Sequence, residues 1–89
     1  MRRLTLKIFG LVQAVGYRQA FLQKARDREL RGFISNLNDG SVLAVVEGRD
    51  DYLKELIAWC YNGVDSARVE RVAEEWSVAT GQYTDFVIR

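Results

Sequence analysis

Leu4, Leu6 and Ile8 alternate with Thr5, Lys7 and Phe9, the period-two pattern of a strand with one buried face, and Gly10 is read as its end. From about Arg18 to Leu30 the period lengthens. Phe21, Leu22 and Ala25 fall to one side and Gln19, Lys24, Arg26 and Asp27 largely to the other, which predicts an amphipathic helix with Tyr17 extending its apolar face. Gly32 is expected to break that helix. Phe33-Ile34-Ser35 then leads through Asn36-Leu37-Asn38-Asp39-Gly40, a stretch rich in turn formers, into the apolar run Val42 to Val46, a predicted hairpin. Past Gly48, Asp50 or Asp51 is placed to cap a second helix. Its residues Leu53, Leu56, Ile57, Cys60 and Tyr61 follow the i, i+3, i+4, i+7, i+8 spacing, and Asn62-Gly63 ends it. Ala67, Val69 and Val72 suggest a further strand, and Phe86 and Ile88 a short last one. Strand, helix, strand, strand, helix, strand is the order of a split βαβ sandwich. It is read as an antiparallel sheet with two helices on one face, an α+β class.

A chain of 89 residues has room for one domain and one core, so residues 1–89 are read as a single domain. Apolar residues make up 48% and charged residues 28%, an ordinary globular balance without a linker or low-complexity tract. Thirteen Lys and Arg against twelve Asp and Glu leave a net charge of +1, too little for the basic footprint of a nucleic-acid binder. Cys60 is the only cysteine and there is no histidine. Ser-His-Asp and Cys-His catalysis, phosphohistidine chemistry and the usual Cys/His zinc sites are thereby excluded. Cys60 lies on the apolar face of the second helix and is read as a packed core thiol, while Trp59 and Trp76 are read as core or sheet-packing residues. The basic start Met1-Arg2-Arg3 runs into a stretch too short and too polar for a signal peptide or a membrane span, so a cytoplasmic protein is the expectation.

The chemistry concentrates in the loop Gly10-Leu11-Val12-Gln13-Ala14-Val15-Gly16-Tyr17-Arg18, which joins the first strand to the start of the first helix. Backbone N–H groups at a helix N-terminus lack intrahelical partners, and the macrodipole there favours negative charge. Gly16 can turn consecutive N–H groups inward as a nest, and Arg18 can add two parallel charge-assisted bonds to phosphate oxygens. Lysine could not reproduce that fork. A plainer explanation is also open, because strand-to-helix connections commonly use glycines and surface helices commonly carry arginines.

The residues themselves narrow the choice. Gly-x-Val-Gln-x-Val-Gly-Tyr-Arg resembles the phosphate loop of the acylphosphatase family, usually Gly-x-Val-Gln-Gly-Val-x-Phe/Tyr-Arg. Gly32-Phe33-Ile34-Ser35-Asn36-Leu37-Asn38-Asp39-Gly40-Ser41-Val42 resembles that family's second motif, Gly-aromatic-two residues-Asn-three residues-Gly-x-Val, with Gly48 in register. The resemblance implies a ferredoxin-like fold and hydrolysis of small acyl phosphates by direct water attack on phosphorus, with no metal or other cofactor and no phosphoenzyme. Carried over residue by residue, Arg18 matches the phosphate-binding arginine and Asn36 the asparagine that orients the attacking water. Gln13, Ala14, Val15, Gly16, Tyr17 and Arg18 match the phosphate-binding loop. The implied partners are an acyl phosphate substrate and inorganic phosphate as product or inhibitor, with no nucleic acid and no membrane, for a monomeric protein. Taken alone, Asn36 beside Asp39-Gly40 would be read as a turn or strand-end residue.

The sequence departs from the family pattern at several points. Ala14 stands where glycine is usual, and if that position needs a positive φ its methyl group costs about 1–2 kcal/mol. Arg28-Glu29 replaces an apolar-plus-glycine pair near the helix end, and Gly63-Val64 replaces Gly-Pro before the fourth strand. A weak or inactive phosphate-binding relative is therefore the alternative to an enzyme. An RNA-recognition domain on the same architecture is disfavoured, since Ser41-Val42-Leu43-Ala44-Val45-Val46-Glu47 lacks the stacking aromatics that module needs.

Overall fold

A computed structural model describes all of residues 1–89. The strands are β1 (Arg2–Leu11), β2 (Arg31–Asn36), β3 (Val42–Gly48), β4 (Arg68–Val78) and β5 (Phe86–Ile88), and the helices are α1 (Tyr17–Asp27) and α2 (Asp50–Asn62). They form one five-stranded sheet in the order β4-β1-β3-β2-β5. The expected ferredoxin-like split βαβ arrangement is present, with one correction. β5 pairs with β2 in parallel, Gly32 opposite Phe86 and Ile34 opposite Ile88, so the sheet is mixed rather than wholly antiparallel. β4 and β5 lie on opposite edges, and the return from one to the other brings the chain into β2's own direction.

That return is fastened by Glu47, a buried carboxylate that the sequence pattern did not single out. It accepts hydrogen bonds from the Thr80 and Gly81 N–H groups at 2.9 and 3.0 Å and from the Arg3 guanidinium at 2.8 Å. Burial alone would push its pKa up, yet these donors outweigh it and hold the carboxyl below its ordinary value.

The core is an 18-residue cluster in which Leu4, Leu6 and Ile8 of β1 meet Ala44 and Val46 of β3, Tyr17 and Phe21 of α1, and Leu53, Leu56 and Cys60 of α2. Cys60 is fully buried and free, and burial pushes its thiol up to about 12. Trp59 packs against the core edge-on to Phe21, with ring centroids 5.8 Å apart. Trp76 is covered by the Arg2 guanidinium at 4.3 Å from its ring. No helix is long and apolar enough to cross a membrane.

Several predicted boundaries move, each for a local reason. Gly10 does not end β1. It forms a bulge against β4, where an added Cβ would lie 2.0 Å from the Arg68 carbonyl oxygen, and the strand continues to Leu11. Gly32 does not break α1 either, but sits inside β2, where a Cβ would meet the Val45 carbonyl oxygen at 1.8 Å. The helix ends earlier, at Asp27, in a Schellman motif. Leu30 N–H bonds Ala25 O at 2.9 Å, Glu29 N–H bonds Arg26 O at 3.0 Å, and Glu29 carries the left-handed φ of 55°. At the start of α2 the N-cap is Arg49, and Asp50 and Asp51 instead lie in the first turn, where their charge complements the macrodipole. Tyr61, expected on the apolar face, is 54% exposed.

Candidate active site

The register places the two sequence motifs at one end of the sheet. β1, β2 and β5 run in the same direction, because β1 and β2 are each antiparallel to β3 and β5 is parallel to β2. Their C-terminal ends therefore share one edge, and α1 begins at that edge. Ile8, Val42 and Asn36 form one cross-strand row. Since Ile8 and Val42 are buried in the core beneath the helices, Asn36 projects on the helix-bearing side of the sheet, where it ends β2 and is exposed.

Arg18 occupies the first turn of α1 and is half-buried. It pairs with no carboxylate, unlike Arg2, Arg3, Arg26, Arg28 and Arg49. The loop before it holds two left-handed residues, Ala14 at φ 61° and Gly16 at φ 80°, the latter being the helix N-cap. Ala14 thus takes the strained conformation that the sequence made conditional. No main-chain N–H from Gln13 through Gln19 is engaged by a backbone carbonyl, and the first helical bond is Ala20 N–H to Gly16 O at 3.1 Å. The N-terminus of α1 therefore presents a run of free donors beside an unpaired guanidinium.

Two loop residues do something the motif does not reveal. The Gln13 side chain turns away from the loop's N–H groups, and its amide nitrogen donates to Leu37 O at 2.8 Å and to Ser41 O at 2.9 Å. Both partners are carbonyl oxygens, so the nitrogen must be the atom facing them. Gln13 thereby clamps the loop to the turn that follows Asn36. That turn is held from within by Asp39, whose carboxylate accepts from the Ser41 N–H and hydroxyl and pairs with Lys7 at 3.0 Å. Those bonds, the Ser41 hydroxyl first, draw the Asp39 carboxyl down to about 2.

Tyr17 is fully buried, so only its main chain faces the loop. Its hydroxyl donates to Cys60 O at 2.9 Å in the last turn of α2. Burial raises its phenol well above the ordinary value. A side chain anchored this deeply fixes the residue beside Arg18. Ser66 adds a further tie, its hydroxyl bonding Val15 O at 3.0 Å. Arg18 also lines a cleft of about 250 Å³ with Val12, Ala14, Gly16 and, from β5, Ile88. In the sequence Ile88 marks only a short last strand, and its apolar type gives no sign that β5 returns to this end of the sheet.

A ferredoxin-like sandwich with free backbone donors, an unpaired arginine and an asparagine gathered at one sheet edge defines a small α+β protein suited to a compact anion. The acylphosphatase family model matches residues 4–88. An acylphosphatase from Caldanaerobacter subterraneus subsp. tengcongensis is 46% identical over 83 residues, covering 93% of this chain and 92% of its own. One from Chloroflexus aurantiacus is 42% identical over 81 residues, covering 91% and 88%. The crystal structure of acylphosphatase from Bacillus subtilis superposes with a TM-score of 0.96 at 27% identity over 100% of this chain and 99% of that one. The chain belongs to the acylphosphatase family. The similarity spans both halves of the sequence, including the second half where the motifs are weakest, and does not favour the inactive alternative.

Proposed function

We propose that this chain hydrolyses acyl phosphates by direct attack of water on phosphorus. Arg18 and the main-chain N–H groups of Gln13, Ala14, Val15, Gly16, Tyr17 and Arg18 hold the phosphoryl oxygens, and Asn36 places the water. The observation that carries this reading is the run of free N–H groups beside unpaired Arg18, at the edge where Asn36 ends β2. Charge on the phosphoryl oxygens in a loose transition state is stabilised by donors already in place, which need not reorganise as the reaction proceeds. Arg18 supplies the two-pronged share and the loop the rest.

The water oxygen forms a bond to phosphorus while the bond from phosphorus to the acyl oxygen breaks, and the carboxylate departs with that electron pair. A carboxylate needs no proton to leave. The Asn36 amide, a poor base, accepts one hydrogen bond from the water through its oxygen and donates one through its nitrogen, fixing the line of attack. A phosphoryl oxygen of the substrate takes the water's proton. Products are the carboxylate and inorganic phosphate, and the latter also competes for the loop. The site needs only residues of one chain. That supports a monomer, and the single, buried thiol supports a reducing compartment such as the cytoplasm.

The test follows benzoyl phosphate loss in EDTA, comparing the wild type with Arg18→Ala and Asn36→Ala. Arg18→Ala is expected to weaken phosphate inhibition and turnover together, and Asn36→Ala to lower kcat by about 10²-fold or more with phosphate inhibition retained. Wild-type-like turnover by Asn36→Ala would remove it from the mechanism, and EDTA-sensitive activity would overturn the metal-free route.

A further inference from the structure

The free N–H groups of the loop can bind an anion only while their peptides face the cleft, and Gly16 is where that orientation is least secure. A peptide plane flips when ψ of one residue and φ of the next change together, and glycine accepts either sign of φ. Gly16 sits at φ 80° with nothing within 4 Å of where a Cβ would lie. A flip of the Val15–Gly16 peptide would exchange the Gly16 N–H for the Val15 carbonyl oxygen, which repels a phosphate instead of binding it.

The peptide that follows Gly16 is held by the helix, since Ala20 N–H bonds Gly16 O at 3.1 Å. The peptide that precedes it has no such support, because no main-chain donor reaches Val15 O. Its partner is the Ser66 hydroxyl, at 3.0 Å. In a planar trans peptide the C=O and N–H point in opposite directions. Gly16 lines the cleft with Arg18 whereas Ser66 lies outside it, so the bond turns Val15 O outward and leaves the Gly16 N–H facing the cleft. Ser66 is itself well fixed. Ala67 N–H bonds Val64 O at 3.0 Å, closing a turn around it, and Val64 and Ala67 pack against the core. Just before that turn a Cβ on Gly63 would lie 2.7 Å from Tyr17 Cε2, and the Tyr17 hydroxyl bonds Cys60 O at 2.9 Å. The connection from α2 to β4 thus buttresses the loop at Val15 and at Tyr17, on either side of Gly16.

Resting on the hydrolase reading above, we propose that Ser66 is a positioning residue whose hydroxyl locks the Val15–Gly16 peptide with its N–H toward the phosphoryl group, without touching substrate itself. A misaligned donor costs more in the transition state, to which the donors are complementary, than in the complex with free phosphate. Loss of Ser66 should therefore lower turnover more than it weakens phosphate inhibition. A hydrogen bond that merely tied two surface turns together would affect stability and leave both unchanged.

The test compares the wild type, Ser66→Ala and Ser66→Thr in three measurements: kcat/KM for benzoyl phosphate, inhibition by inorganic phosphate, and the NMR shift of the Gly16 amide proton on saturation with phosphate. In Ser66→Ala, kcat/KM is expected to fall about 10-fold and the phosphate inhibition constant to rise about 3-fold, with a smaller Gly16 shift at saturation. Ser66→Thr keeps the hydroxyl and is expected to recover most of all three. Ser66 is exposed, so neither substitution disturbs the core. Wild-type kcat/KM with an undiminished Gly16 shift in Ser66→Ala would overturn the proposal. So would a fall in kcat/KM that Ser66→Thr does not reverse while the Gly16 shift keeps its wild-type size. A wild type that neither hydrolyses benzoyl phosphate nor shifts the Gly16 amide with phosphate would sink the hydrolase reading itself, whereas a responsive wild type matched by Ser66→Ala would sink this assignment alone.

Discussion

Replacing Gln13 by glutamate tests whether the clamp between the two motifs holds the site together. The two side chains have nearly the same shape, but the carboxylate would set an oxygen against the Leu37 and Ser41 carbonyl oxygens, where the amide nitrogen now donates at 2.8 and 2.9 Å. Neither carbonyl would be orphaned, because Gly40 N–H still bonds Leu37 O at 3.2 Å and Leu37 N–H still bonds Ser41 O at 2.9 Å. The loss is therefore two ordinary hydrogen bonds of about 1 kcal/mol each, with about 1 kcal/mol more from the repulsion between like-signed oxygens. For a domain of this size, about 3 kcal/mol corresponds to a fall in Tm of roughly 12–24 °C. The deficit depends on pH with a definite sign. Facing acceptors disfavours the charged form, so the folded pKa of Gln13→Glu rises above the unfolded value of about 4.3. The variant should approach wild-type stability below about pH 4, where a protonated carboxyl can donate to one carbonyl, and should lose stability as pH rises through the folded pKa. Thermal unfolding by circular dichroism of both proteins at acid and neutral pH measures this, with the wild type subtracting every other titration. Because Leu37 follows Asn36, kcat for benzoyl phosphate should fall by about 10-fold or more at neutral pH with a smaller change in KM. A neutral-pH Tm within about 2 °C of wild type, with no dependence on pH beyond the wild type's own, would refute the clamp.

The other expectations are read from single features. Ala14→Gly and Glu29→Gly each relieve a left-handed residue, at φ 61° and 55°, and each should stabilise by about 1 kcal/mol in urea unfolding; a loss of stability in both would contradict those backbone conformations. Tyr17→Phe leaves Cys60 O without its buried partner and should cost about 1–2 kcal/mol while sparing most of the activity, since the ring and the helix start remain. Asp39 and Glu47 both titrate below their ordinary values, Asp39 at about 2. The stability they contribute is complete above the unfolded carboxylate range and is lost as pH falls through the folded values. Acid unfolding should therefore steepen below about pH 4, and Asp39→Asn should be less sensitive to pH there than the wild type.

What the sequence determined by itself was local. The spacing of Leu53, Leu56 and Cys60 announces α2 because helical periodicity is a property of neighbours along the chain, and all three are buried as expected. The alternation Leu4, Leu6, Ile8 announces the buried face of β1 for the same reason. The two motifs are legible because their residue types and spacings resemble those of the acylphosphatase family, and it is that resemblance which singles out Arg18 and Asn36. β4 was only half legible. An edge strand needs few apolar residues, and Arg68–Val78 buries Val72 alone, its extent being set by the ladder it shares with β1. The roles of Gly10 and Gly32 depended on which carbonyl lies opposite, and the end of α1 on a left-handed glutamate that no periodicity marks. The direction of β5, the fastening of its connection by Glu47, the clamp from Gln13 to the turn after Asn36 and the arrival of Ile88 beside Arg18 were decided by the tertiary structure alone. Each joins residues at least 24 positions apart, and the register that brings such residues together is fixed only once the whole sheet has closed over its core.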